Sequence, residues 1–310
     1  LNISWISRKN SVGSIMYLKD WHLQRIIENR QQEYEKDSDK GKLLYNVPSI
    51  FMRDLLNHFF LSFTDGDYRF VYWGPKYSST SIHSDVLNSF SWSYNVVGEK
   101  KWIFYPPPLF DDNKHNDDNS CNSFEVIQKT GETVFVPSGW KHEVVNLHET
   151  LSINHNWVTA VSLDLVWNCI LLEICAIEQE INKWGIDAND CETRENMLRG
   201  CCGLDVTSFL IMMLCGILQN MKNIGFLRND NQKMMKMETS QSYYAWEEYF
   251  DLANMVNVVN LVMQSDREID INTNSSHHYT LQLNGRIESM LGKDFAPTLW
   301  KLLQFVQKRW

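Results

Sequence analysis

Hydrophobic and polar positions change period twice along this chain. Between about residues 68 and 158 they alternate in short runs, each stopped by glycine, proline or a polar cluster, as half-buried strands do. Strands are predicted at 68–73, 80–87, 90–97, 100–105, 125–129, 133–136, 142–147 and 151–158. Gly98 suits a hairpin, and Pro106-Pro107-Pro108 ends a series because proline cannot donate to a ladder. Residues 111–123, rich in Asp and Asn, read as a polar loop. Many short strands with regular turn signals predict a sandwich or barrel.

The flanks carry a helical period. Residues 49–60 place Ile50, Met52, Leu55, Leu56 and Phe59 on one side of a predicted helix, and the charged stretch 31–42 reads as a solvated helix end or loop. Beyond residue 160, helices are predicted at 163–184, 205–222, 242–263 and 297–307. The predicted organisation is therefore a mixed, mostly helical N-terminal segment (1–66), a β core (67–160) and a C-terminal helical region (161–310). No internal repeat is visible.

Composition narrows the class. The 310 residues are 44% hydrophobic and 22% charged, ordinary for a globular protein. A net charge of −9 argues against direct nucleic-acid binding through phosphates and favours a basic protein partner. Seven cysteines, mostly in helix-like segments, suit reduced thiols in the cytoplasm or nucleus better than a disulfide framework. No uninterrupted apolar run reaches about 18 residues, so no membrane span is expected. The chain begins at Leu1 rather than Met, so the absence of a signal peptide carries little information.

The most informative residues are His83 and Asp85 with the distant His142. Two imidazoles and a carboxylate can hold one face of an octahedral metal and leave the other open, the donor set of non-heme Fe(II) oxygenases. Two residues apart on a strand, His83 and Asp85 would point the same way. Polar faces lie on neighbouring strands: Ser91, Ser93 and Asn95 on one, Ser152, Asn154 and Asn156 on the other. Set around the triad, they suggest a wet, ligand-holding lumen. Lys100 and Lys101 start a strand with their side chains on opposite faces, and either is a candidate anchor for a small dicarboxylic acid.

Four ordered motifs carry a resemblance. Thr80-Ser-Ile-His-Ser-Asp85, then Gly98-Glu-Lys-Lys-Trp102 leading to Tyr105-Pro-Pro107, then the stretch 131–142 ending in Trp140-Lys-His142, then Ser152-Ile-Asn-His-Asn156, resemble a JmjC (jumonji C) domain. Tyr17-Leu-Lys-Asp-Trp-His22 and Asp67-Tyr-Arg-Phe-Val-Tyr72 extend the likeness towards a lysyl-hydroxylase branch of that family. The resemblance implies a double-stranded β-helix, jelly-roll or cupin-like. It implies Fe(II) held by His83, Asp85 and His142, with 2-oxoglutarate as cosubstrate and O₂ as oxidant. Thr80 and Lys100 match residues that hold the cosubstrate carboxylate, and Asn154 and Asn156 match last-strand positions near it. Ser93 stands where relatives carry Asn, which puts that contact in question, with Asn95 as a substitute.

What the resemblance implies about activity is lysyl C4-hydroxylation of a protein substrate, the eukaryotic translation termination factor, in the cytoplasm or also the nucleus. The alternatives are N-methyl-lysine or N-methyl-arginine demethylation and a non-catalytic binding scaffold. The C-terminal helices are candidates for a homodimer interface.

Overall fold

Alternation of side chains builds the first part of the chain into two antiparallel sheets. The computed structural model describes residues 4–10, 13–34, 44–107, 123–184, 191–223, 247–248, 250–259 and 261–262. The predicted helix at 297–307 and almost all of the polar loop at 111–123 lie outside them. The chain divides into two compact units, Leu1–Val158 and Thr159–Trp310.

The first unit opens with strands β1 (Ser4–Asn10) and β2 (Gly13–Trp21), paired as a hairpin. Helices α1 (Leu23–Tyr34) and α2 (Leu55–Phe63) follow. Then come β3 (Arg69–Gly74), β4 (Ser79–His83), β5 (Phe90–Val97), β6 (Lys100–Tyr105), β7 (Phe124–Gln128), β8 (Thr133–Val136), β9 (Lys141–Asn146) and β10 (Thr150–Trp157). One sheet runs β1-β2-β3-β10-β5-β8 and the other β4-β9-β6-β7. From β3 onward the chain crosses to the other sheet at every step except β6 to β7, as in a jelly roll, which agrees with the expected double-stranded β-helix.

The N-terminal segment departs from its expected helical character. Residues 4–21 are strands that extend the larger sheet, because β2 pairs with β3 through Leu18↔Trp73 and Trp21↔Val71. The helix expected over 49–60 is broken. A 3-10 turn covers Ser49–Phe51, Arg53 is left-handed (φ 66°), and Asp54 restarts the helix by accepting from the Asn57 backbone N–H at 3.1 Å.

One buried core cluster joins Trp102, Phe104 and Val144 of the smaller sheet to Val136 of the larger. The Trp102 and Phe104 rings lie almost parallel with centroids 5.7 Å apart, an offset stack worth about 1 kcal/mol beyond its area. The left-handed turn at Gly98 (φ 92°) joins β5 to β6 and fixes where Lys100 begins its strand.

In the second unit, α3 (Leu163–Trp184) buries Val166, Trp167, Ile170, Ile174, Ile177 and Ile181 at helical spacing. Helix α4 (Cys191–Cys202), not expected from the sequence, is tied to α3 by Arg194–Glu178 at 2.8 Å. Helix α5 (Val206–Asn223) is started by Asp205, which accepts from the Ser208 N–H at 2.6 Å. Its residues Phe209, Ile211, Met212, Met213 and Ile217 are buried all round, as in a core helix. Within the expected helix 242–263, helix is described at Phe250–Val259. By length and composition alone, the helical run Ala160–Trp184 could cross a membrane, though nearly half of its most apolar window is buried inside the protein.

Candidate metal centre

Strand β4 ends at His83, where the sequence suggested a run on to residue 87. The chain instead enters a tight turn. Asp85 is extended (φ −65°, ψ 150°), a 3-10 turn follows at Val86–Asn88, and Leu87 and Asn88 are both left-handed (φ 58° and 47°). Asp85 is therefore aimed by the turn and not by strand alternation. The third ligand arrives on β9, whose His142 is the direct cross-strand partner of His83.

These three residues come together as the spacing suggested. One ligand atom from each of His83, Asp85 and His142 lies within 4.8 Å of the others. Each imidazole is oriented by its own backbone. His83 Nδ1 lies 2.8 Å from the Ser81 carbonyl, and His142 Nδ1 lies 3.1 Å from the Trp140 carbonyl. A carbonyl can only accept, so each Nδ1 carries the proton and each Nε2 keeps its lone pair for a metal. Burial holds the His142 pKa below the usual histidine value, which favours the neutral, ligating form, although the Asp85 carboxylate pulls the other way.

Behind the triad lies a chamber of about 470 Å³, counting its open mouth, lined from both sheets. Thr80, Ser93, Lys100 and Asn154 border it, as expected for cosubstrate contacts. Lys100 is buried to 2% exposure, and its Nζ donates to Ser152 Oγ at 2.5 Å. Among the described residues it has no carboxylate partner. Burial, with Lys19 nearby, pushes its pKa down to about 7. Lys101 points outward to Glu125 at 2.9 Å, so of the two lysines it is Lys100 that borders the chamber. Asn154 donates to Ser152 Oγ at 3.1 Å, so Lys100, Ser152 and Asn154 form one polar row. Ser93 Oγ is buried without a hydrogen-bond partner among the described residues.

Two expected cosubstrate contacts are engaged with protein groups instead. Asn95 is fully buried outside the chamber, where its amide donates to the Gly98 carbonyl at 2.8 Å and braces the β5–β6 turn. It does not substitute for the asparagine that Ser93 replaces. Asn156 borders the chamber, but its amide donates to Asp85 Oδ1 and Ser89 Oγ, both at 3.1 Å. Tyr17 on β2 was not singled out from the sequence. Its hydroxyl lies against Thr80 and Asn146, and burial pushes its pKa up to about 12, so it is a neutral donor in the chamber wall. The apolar, strand-favouring run Ile15-Met-Tyr-Leu18 was the signal that could have marked a strand there.

The donor set fits a six-coordinate ferrous ion with open positions. The buried Lys100 ammonium, which has no carboxylate partner among the described residues, and the orphaned Ser93 hydroxyl fit a small dianionic ligand beside it, because buried polar groups left without partners are costly.

Comparison with known proteins agrees with this geometry. Residues 111–157 match the family described as JmjC domain, hydroxylase. The chain is 35% identical over 223 residues to the 2-oxoglutarate and iron-dependent oxygenase JMJD4 of Danio rerio, covering 64% of this chain and 50% of that protein. Against JMJD4 of Homo sapiens it is 35% identical over 222 residues, with the same coverage. It is 32% identical over 252 residues to the arginine-specific demethylase JMJ20 of Arabidopsis thaliana, covering 70% and 52%. The chain thus spans about half the length of the curated relatives it matches. Among solved structures, the CENP-C cupin domain of Drosophila melanogaster aligns at a TM-score of 0.23 and 8% identity over 49% of this chain and 75% of that one, too slight a likeness to weigh. With its facial triad, its two-sheet β core and these matches, the chain carries a JmjC domain of the kind found in 2-oxoglutarate and iron-dependent oxygenases.

Proposed function

We propose that this protein is an Fe(II)- and 2-oxoglutarate-dependent oxygenase that hydroxylates a lysine side chain of a protein substrate. The observation that carries the reading is the convergence of His83, Asp85 and His142 at a chamber that also holds the buried Lys100. When bound, the iron and its cosubstrate would supply the oxidising chemistry that activates O₂ and converts a C–H bond to C–OH. The protein's own work is different. His83, Asp85 and His142 hold one face of the ion. Lys100 would anchor the distal carboxylate of the cosubstrate by a charge-assisted hydrogen bond, with Thr80, Asn154 and Ser93 as further partners. Burial of this end of the chamber keeps water from competing for the anion.

The finer reading is C4-hydroxylation of the eukaryotic translation termination factor, in the cytoplasm. Its support is the similarity to the JMJD4 proteins together with the lysyl-hydroxylase resemblance of the motifs. The acidic chain, at net charge −9, suits a basic target segment. Demethylation of an N-methyl group is the second reading, favoured by the similarity to the Arabidopsis demethylase.

The first test is 2-oxoglutarate consumption with Fe(II), comparing the native chain with His83→Ala. Turnover confined to the native chain is expected, and equal rates would end the oxygenase reading. Mass analysis of candidate peptides then separates the two chemistries, since hydroxylation adds an oxygen and demethylation removes a methyl group.

A further inference from the structure

Asp85 stands at the head of the turn that leaves β4, and Ser89 stands at its foot. Between them Leu87 and Asn88 are both left-handed, a conformation that costs a non-glycine residue about 1 kcal/mol or more. Something outside the turn must hold it. Asn156 of β10 does so from the facing sheet. Its Nδ2 spends one hydrogen on Asp85 Oδ1 and the other on Ser89 Oγ, each at 3.1 Å. With an acceptor on each hydrogen, the amide has one orientation.

Asn156 is itself held from behind. Its carbonyl accepts from Asn57 Nδ2 at 2.9 Å, and that amide also donates to Asp54 Oδ2 at 2.6 Å. Asn57 Oδ1 accepts from the Tyr68 N–H at 2.7 Å, and the Asn156 N–H donates to the Tyr68 carbonyl at 3.0 Å. The other oxygen of Asp85 is met by Ser91, the cross-strand partner of Asn156, whose hydroxyl donates to Oδ2 at 2.7 Å. Both carboxylate oxygens therefore carry a donor, and both donors sit on adjacent central strands of one sheet.

We propose that Asn156 is a positioning residue of the metal centre: by stapling both ends of the strained turn, it fixes the plane of the Asp85 carboxylate for a metal. Rigid placement of a ligating carboxylate saves the ordering cost when the ion arrives. A donor on each oxygen leaves each with fewer free lone pairs, which favours one-oxygen ligation and keeps coordination positions open. The inference rests on the reading of His83, Asp85 and His142 as an iron site.

The test is Co(II) titration, followed by calorimetry and by the visible absorption of the bound ion, on the native chain and on Asn156→Leu and Asn156→Ser. Native binding with affinity lower by about tenfold or more in the variants, and a shifted Co(II) band, is expected. A merely structural asparagine would lower the melting temperature and leave affinity and spectrum alone. Ser89→Ala is a third arm that keeps the amide and removes the acceptor that orients it, and a smaller loss of affinity is expected. Native affinity in any folded variant of Asn156 overturns the proposal. Unchanged affinity in Ser89→Ala does so where both Asn156 variants fail to fold. A native chain that takes up no Co(II) defeats the reading of the site itself.

Discussion

His83 and His142 face each other directly across the β4–β9 pair, with ring centroids 4.3 Å apart. Neither ring needs to move far to share an ion with the other, since both Nδ1 atoms are already tied to backbone carbonyls. Loss of either imidazole removes a ligand outright. His83→Ala and His142→Ala are each expected to weaken metal binding by more than about 100-fold, beyond what the loss of an outer partner costs. Their stability costs should differ. His142 is buried and packs near Trp102 and Phe104, with centroids 5.6 and 6.0 Å away, whereas His83 is partly exposed. Thermal melts of the metal-free variants should therefore show the larger drop for His142→Ala.

Lys100 opposes stability as it enables binding. A buried ammonium without a carboxylate partner is disfavoured, which is why burial takes its pKa from 10.5 to about 7. Below pH 7 the folded chain bears the full cost of this charge. Between pH 7 and 10.5 the unfolded chain keeps a proton that the folded chain has released, so stability rises with pH across that window. Lys100→Met should stabilise the metal-free chain at pH 7, by about 1 kcal/mol or more, and abolish tight 2-oxoglutarate binding. Denaturant melts and calorimetry read the two effects separately. A dianion bound beside Lys100 would restore its charge, so affinity for 2-oxoglutarate should fall as pH rises above about 7.

His155 acts in acid. Its Nε2 lies 2.6 Å from the Tyr45 hydroxyl and its ring stacks on Trp92 at 4.1 Å, and burial lowers its pKa to about 3. Between pH 6.5 and 3 the unfolded chain binds the proton that the folded chain refuses, so stability is lost as pH falls. Asp54 has the opposite sign. Burial raises its pKa from 3.8 to about 6, so acidification through that range favours the folded state. The His155 interval is the wider, and its sign should prevail. Native stability should drop by up to about 1.4 kcal/mol per pH unit on its account. In His155→Phe, which keeps a ring against Trp92, that slope should be absent from denaturant melts recorded across the range.

The parts of the site legible in the sequence were those fixed by strand period and ligand chemistry. His83 and His142 could be placed by the ligand chemistry of the triad, whereas Lys100 was separated from Lys101 only by the family motif, since each face of β6 carries one lysine and two largely apolar residues. Asp85 was found for a reason that does not hold in space. Its two-residue offset from His83 suggested a shared strand face, but a left-handed turn delivers it. Nothing in Val86-Leu87-Asn88 announces that turn, because leucine rarely adopts positive φ and tertiary hydrogen bonds impose it. Asn95 and Asn156 were indistinguishable by period from Asn154. Their partners, the Gly98 carbonyl and the Asp85 carboxylate, are set by β-strand register and turns. The N-terminal strands were missed because β1 and β2 gain their stability from pairing within the larger sheet.

Gly98 gives the last prediction. It is left-handed (φ 92°), and a Cβ there would meet the Glu149 backbone carbonyl and Thr150 Oγ1. The obstacle is mainly backbone, which cannot rotate aside as a side chain can. Its own carbonyl accepts from Asn95 Nδ2 at 2.8 Å and from Thr130 Oγ1 at 3.0 Å, so the turn is pinned on both sides. Gly98→Ala therefore carries both a positive-φ penalty and a clash, together costing about 2 kcal/mol or more. The strain can be relieved by moving the start of β6, and Lys100 lies two residues on. The variant should thus lower both the melting temperature and the affinity for 2-oxoglutarate, while the Co(II) affinity of the distant triad stays within about twofold of native, since separated sites act independently. A loss of stability with unchanged cosubstrate affinity would show that Lys100 is placed by the β6–β9 pairing alone and not by this turn.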